Sequence, residues 1–235
     1  MAHPSALHER RRPLNAAELA GVPWLSHLKA EEFDRAAPEL RISLAEPGEL
    51  VCRRGRPVTY WFGVVDGLLK MSTETAEGQT ITYSGLAPGG WFGEGTVIKR
   101  EPYRYNVSAL RRSLVAGLPA DTFHWLLDHS IGFNRFIMNQ LNERLGHFIG
   151  TLEADRTPKP EQRVARSIAA LVNPVLFPGV GEVLRITQQE LAYLVGLSRQ
   201  RVNEALQSLS AQQLLRIEYG GLRILDLAAL RSRDF

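Results

Sequence analysis

Arg199, Gln200 and Asn203, close together in the segment TQQELAYLVGLSRQRVNEALQSL (187–209), are side chains whose types and spacing suit the reading of DNA bases. An Arg guanidinium forks onto guanine O6 and N7, and Gln or Asn amides onto adenine N6 and N7, all on the major-groove edge. That chemistry needs the three on the outward face of a helix that enters the groove. The flanking residues supply one. Ser198 is a good N-cap, and Val202, Ala205, Leu206 and Leu209 recur as an inner face, which leaves the polar three outside near the helix N-terminus. Upstream, Thr187 and Glu190 have the spacing of a capping box, Leu191, Leu194 and Val195 form an apolar face, and small Ala192 admits a crossing helix. Gly196 can take the positive φ of the turn between them. The pattern predicts a helix-turn-helix, although an ordinary helical hairpin with a polar outer face shares it.

The residues that follow narrow the choice. In AQQLLRIEYGGLRILDL, Leu215, Ile217, Leu222 and Ile224 alternate around Tyr219-Gly220-Gly221, which predicts a β-hairpin wing. Arg216 and Arg223 fall in its strands, where they either meet phosphate or lie on solvated faces.

The rest of the chain must position this reader. Residues 14–37 suggest short helices with Leu19, Trp24, Leu25, Leu28 and Phe33 as core candidates. From about 40 to 120 short alternating segments centre near 42, 50, 62, 69, 82, 91, 107 and 115, punctuated by Pro47-Gly48, Asp66-Gly67, Glu77-Gly78 and Pro88-Gly89-Gly90. That texture predicts a β-sandwich or jelly-roll barrel. Between Ser130 and Arg156 the apolar residues Phe133, Ile137, Leu141, Leu145, Phe148 and Leu152 recur at helical intervals, which predicts a long helix and, on that stripe, a coiled-coil dimer seam. A helix lying on its own sandwich is the alternative. Thr157-Pro158-Lys159-Pro160 marks a stiff hinge, and 161–173 resumes a helix.

At 235 residues the chain is long enough for two modest domains, each with its own core. The net charge of +3 matches the excess of ten Lys and Arg over seven Asp and Glu between 157 and 235, as a DNA-facing part would show. A single cysteine, Cys52, excludes an intrachain disulfide and any cluster held by four cysteines of one chain, and points to the reducing cytoplasm. No apolar run approaches a membrane span, and the first residues lack the apolar core of a secretion signal, so neither membrane nor export is expected. The run Arg10-Arg11-Arg12 reads as a solvated terminus or, alternatively, a DNA contact.

Taken together, the element order and the run ITQQELAYLVGLSRQRVNEAL (186–206) resemble the CRP/FNR family of bacterial transcription regulators over roughly residues 20–230, most closely at 186–215. The resemblance implies an α+β chain: a β-roll sensor domain of the cyclic-nucleotide-binding type (1–129), a dimerisation helix (130–156) and a winged helix-turn-helix (157–235). It implies a homodimer on a palindromic operator in double-stranded DNA, with a small effector in the roll and RNA polymerase as a further partner. By this analogy Arg199, Gln200 and Asn203 read bases, while Thr187, Gln189, Ser198 and Arg201 touch phosphate. Glu204 stands where the cyclic-AMP regulators carry Arg, which implies a different operator preference.

Within WFGEGTVIKREPYRYNVSAL (91–110), Gly93, Glu94 and Arg104 are similar to the phosphate-binding cassette of the cyclic-nucleotide members, an Arg for a phosphodiester and a carboxylate for a ribose hydroxyl. Two departures imply another effector. Tyr105 replaces the small Ser after the Arg, and Phe148-Ile149 align with the Thr-Ser pair that meets adenine in those proteins. No effector or cofactor is named by the sequence. The cysteine cluster of the redox members is missing, and heme or metal sensing would fall to His124, His129 and His147, which read as ordinary surface histidines.

A different class, an enzyme on a cupin-like jelly roll, requires metal-ligating His on the strands, and residues 40–120 contain none. A third reading is a sensor or adaptor whose helix-turn-helix makes only protein contacts.

Overall fold

The computed structural model describes residues 10–154 and 159–231, the side chains of 150–154 excepted. Nine strands form the roll: β1 (Arg12–Pro13), β2 (Arg41–Ala45), β3 (Leu50–Cys52), β4 (Tyr60–Asp66), β5 (Leu69–Glu74), β6 (Thr80–Leu86), β7 (Trp91–Phe92), β8 (Asn106–Ala109) and β9 (Ser113–Pro119). They pair into two antiparallel sheets, β1-β2-β9-β4-β7 and β3-β8-β5-β6. Each segment expected to be extended from its alternation is a strand. Side chains alternate across a strand, so β4 serves two cores. Phe62 and Val64 face the roll interior, while Trp61 faces a helical layer outside the first sheet.

That layer contains α1 (Ala16–Ala20), α2 (Ala30–Ala36), α3 (Glu94–Lys99), α4 (Ala120–His129) and the first turns of α5 (Ile131–Ala154). Trp24, Trp61, Trp91, Phe123 and Phe133 meet there, many edge to face, with Phe133 5.5 Å from Trp24, 5.6 Å from Trp61 and 5.3 Å from Phe123. Trp24 and Leu25 are buried as expected, Leu19 and Leu28 partly so, whereas Phe33 is more than a third exposed because α2 turns that face to solvent.

Beyond the roll come α6 (Pro160–Leu171), β10 (Val183–Leu184), α7 (Gln188–Val195), α8 (Arg199–Ala211), β11 (Leu215–Glu218), β12 (Gly221–Ile224) and α9 (Leu227–Arg231). β10 adds to the hairpin as a third strand, in the order β10-β12-β11. Of the hinge expected at 157–160, Thr157 and Pro158 lie outside the described residues, and Pro160 opens α6.

The roll interior and the C-terminal elements share buried packing. One cluster of buried residues runs from Phe62, Leu86 and Val107 in the roll to Leu171, Leu194 and Leu206 beyond it. Close approach makes the continuity possible. A Cβ at Gly85 would press on Leu171 and Leu194, and Gly179 donates its N–H to Pro88 O at 3.1 Å beside Gly89. Arg111 of the roll bonds Arg185 O at 3.0 Å and reaches Glu190 of α7 at 3.2 Å.

The candidate DNA-reading face and effector site

Local chemistry builds the two helices of the candidate reading face as the sequence requires. Thr187 caps α7 and Glu190 returns a bond to its amide at 2.7 Å, a complete capping box. α7 ends at Gly196, whose φ of 64° is open to glycine at little cost, and Ser198 caps α8 through the Arg201 amide. Val202, Ala205, Leu206 and Leu209 are buried beneath α8. Thr187, Gln189, Ser198, Arg199, Gln200 and Arg201 are all exposed. Asn203 is half-buried, with Gln188 Nε2 donating to its Oδ1 at 2.8 Å, so one amide orients the other. Gln188 went unnoticed in the sequence, although its place at the first turn of α7 sets it beside the crossing helix. Gln200, a candidate base reader, donates to its acidic neighbour Glu204 at 3.0 Å.

The two wing arginines differ. Arg216 is exposed, whereas Arg223 is held by Glu218 and Glu182, each at 2.6 Å, and its charge is already matched. Arg10, Arg11 and Arg12 are not a loose terminus. Arg10 pairs with Glu49, Arg11 lies over the Tyr60 ring at 3.7 Å, and Arg12 pairs with Glu18 at 2.6 Å.

In the roll, the cassette residues are only partly brought together. Gly93, at φ 85°, caps α3, and Glu94 is buried. Tyr105 fills the corner beside them: its hydroxyl lies 3.5 Å from where a Cβ on Gly93 would be. Burial holds the Tyr105 phenol protonated, its pKa pushed up to about 12, with the Glu94 carboxylate adding to the effect. Arg104 is instead exposed and bonded to Glu101 at 2.6 Å, so its charge is spent at the surface.

The guanidinium that does reach Glu94 is Arg144 of α5, which donates from Nε at 2.8 Å and from Nη2 to Trp91 O at 2.8 Å. It lies one turn before Phe148 on the same helix face, a spacing that would have revealed it. The second Glu94 oxygen is buried without a partner. Phe148 is half-buried and Ile149 half-exposed.

The predicted seam is corrected by burial. Phe133 and Ile137 are 0% and 3% exposed, packed into the aromatic layer of their own chain, and are unavailable to a partner. The exposed apolar face of α5 instead carries Ile131 (69%), Met138 (61%) and Leu145 (59%), each seven residues from the last, with Leu141 beside them. Leu152 continues that spacing, but its side chain lies outside the described residues.

His124 bonds Val97 O, His129 stacks on Trp125, and His147 is driven toward its neutral form by burial with Arg144 nearby. Among the described residues no three His, Cys, Asp or Glu gather as a metal site, and no helix is long and apolar enough to cross a membrane.

Comparison with known proteins places these features together. Residues 44–130 match the cyclic nucleotide-binding domain, and residues 162–233 match the Crp-like helix-turn-helix domain. The transcriptional regulator SdrP of Thermus thermophilus is 27% identical over 173 residues, 73% of this chain and 82% of that protein. The cyclic AMP receptor protein of the same organism is 24% identical over 217 residues, 92% of this chain and 99% of that one. Among solved structures, FixK2 of Bradyrhizobium japonicum shares the fold with a TM-score of 0.63 at 15% identity, covering 80% of this chain and 94% of its own.

Proposed function

Since the chain belongs to the CRP/FNR family of transcription regulators, we propose that it is a cytoplasmic homodimer that binds a palindromic operator and responds to a small effector in the roll other than cyclic AMP. The observation that carries the DNA reading is the exposure of Thr187 and Gln189 at the capped N-terminus of α7 and of Ser198, Arg199, Gln200 and Arg201 at the capped N-terminus of α8. Arg199, Gln200 and Asn203 read bases there, and the other four contact phosphate. RNA polymerase is the further partner that the family implies. Catalysis is not part of this proposal.

Three features argue against cyclic AMP. Arg104 is turned outward, Tyr105 occupies the phosphate corner, and Phe148 and Ile149 offer adenine no hydrogen bond. Unmet polar groups on a buried ligand cost about 1–3 kcal/mol each, so two would weaken binding roughly a hundredfold. The effector supported by the site instead brings a hydroxyl or amine to the free Glu94 oxygen and displaces Tyr105. Its entry competes with Arg144 for Glu94 and so acts on α5 directly.

Selection of bound sequences from a random DNA pool, followed by affinity measurement, tests the reading. Arg199→Ala should lose about 1–3 kcal/mol at one base position per half-site, and Arg201→Ala should weaken all sequences alike and flatten the salt dependence. Equal loss on selected and random DNA for Arg199→Ala would remove its base-reading role. Micromolar cyclic AMP binding by calorimetry, with tighter operator binding, would overturn the effector assignment.

A further inference from the structure

Outside the roll interior, a cleft of about 670 Å³ opens between β6, the middle of α5, α6 and the end of α7. We propose that this cleft is a second ligand site, for an amphipathic anion with a flat apolar body and a carboxylate, phosphate or sulfonate head. Ile149 lies on its edge, but none of Gly93, Glu94, Arg104, Tyr105 and Phe148 lines it, so the site goes beyond the phosphate corner of the effector pocket proposed above.

The charge is one-sided. Arg163, Arg166 and Arg231 line the cleft, and its one carboxylate among the described residues, Glu143, already accepts from Asn173 Nδ2 at 2.6 Å. Arg163 gives Nη2 to Val195 O at 2.6 Å and bridges α6 to α7. Arg166 is different, because its Nη1 is buried without a hydrogen-bond partner. A buried donor on a cation is a costly group to leave unmet, and a turn of the Arg166 side chain that brings it to an incoming anionic oxygen relieves that cost while gaining a charge-assisted bond. Leu171 and Leu194 supply an apolar floor, and Tyr83, 41% exposed on β6, stands as an aromatic wall. Such a mixture of apolar lining and few directed cations is what orients an amphipathic ligand.

The walls come from the roll, the long helix and the helix-turn-helix together. A ligand that touches all three stabilises the arrangement in which they meet, and by linkage any DNA affinity that depends on that arrangement shifts with it.

Fluorescence titration of the full chain with 8-anilinonaphthalene-1-sulfonate, at concentrations where sedimentation shows unchanged assembly, tests the site. The expected result is one saturable site per chain, displaced by decanoate and far less by decanol. Arg166→Met should weaken it at least tenfold, the worth of one charge-assisted bond, and Arg104→Ala should leave it unchanged. Should circular dichroism show Arg166→Met unfolded, Arg231→Ala and Tyr83→Glu carry the same expectation from the cleft rim. Wild-type affinity in the folded variants, equal displacement by decanol, or loss of the site on Arg104→Ala would each overturn the proposal.

Discussion

Leu145→Glu should separate assembly from folding. Leu145 is 59% exposed in the single chain. Full burial of a Leu side chain is worth about 1.5–3 kcal/mol, so the exposed part leaves roughly 1–2 kcal/mol to be gained at a partner helix. In the proposed twofold dimer the residue is presented twice, which makes roughly 2–4 kcal/mol per dimer, or about 30- to 1,000-fold in Kd. The introduced carboxylate adds its own desolvation cost at the seam. On the same helix Phe133→Ala should do the opposite. Its ring is fully buried among Trp24, Trp61 and Phe123, and the loss of such a ring costs about 3–5 kcal/mol of folding stability. Sedimentation velocity at micromolar concentration and thermal unfolding read the two effects apart. A Leu145→Glu chain that still sediments as a dimer, or a Phe133→Ala chain that becomes a monomer with unchanged Tm, would refute the placement of the seam.

That Phe133 and Ile137 are buried while Leu141 and Leu145, from the same expected stripe, are exposed is a matter of helical geometry. Phe133, Ile137, Leu141 and Leu145 follow one another at four-residue steps, and each such step advances about 40° around an α-helix. Over three steps the row turns by about 120°, so a stripe that begins against the roll ends facing away from it. A seven-residue step drifts only about 20°, which is why Ile131, Met138 and Leu145 share one face.

The strands and the helix-turn-helix were legible because alternation and capping are local: Thr187 with Glu190, or Ser198 ahead of Val202, announce themselves within one turn. The candidate effector site was not, because its geometry is set by partners apart in sequence. Glu94 meets Arg144, Gly93 meets Tyr105, and Arg104 is taken by Glu101 at the surface. The same holds for the roll's contact with the reader, where Arg111 and Glu190 are paired across a long stretch of intervening chain. Tyr105 did signal itself by size, since a ring in place of a small residue must displace something.

Tyr105→Ser should reopen the phosphate corner and let an anion bind beside Gly93, with cyclic AMP still weak because Phe148 and Ile149 remain; calorimetry on both chains checks this, and micromolar affinity from this change alone would show that the base contacts are dispensable. Gly132→Ala should destabilise by about 1–3 kcal/mol, since a Cβ there would overlap the backbone oxygen of His27, and an unchanged Tm would show that the first turn of α5 yields freely. Alkaline stability gives the last test. Burial pushes the Cys52 thiol and the Tyr105 phenol each up to about 12, and burial likewise raises Tyr103, which bonds Tyr60 O. All three are acids held neutral in the folded chain but free to ionise near their ordinary values, 9.0 for the thiol and 10.0 for the phenols, when unfolded. The unfolded state therefore binds fewer protons above pH 9, and stability, fully present below that pH, falls as pH rises toward 12. The slope is about 1.4 kcal/mol per pH unit for each group ionised only in the unfolded chain. Urea unfolding between pH 7 and 11 should show a plateau followed by this decline, and Cys52→Ala should remove its earliest part. A midpoint that stays level through pH 11 would mean that these groups ionise as readily in the folded roll, and that the interior beside Gly93 is open to water.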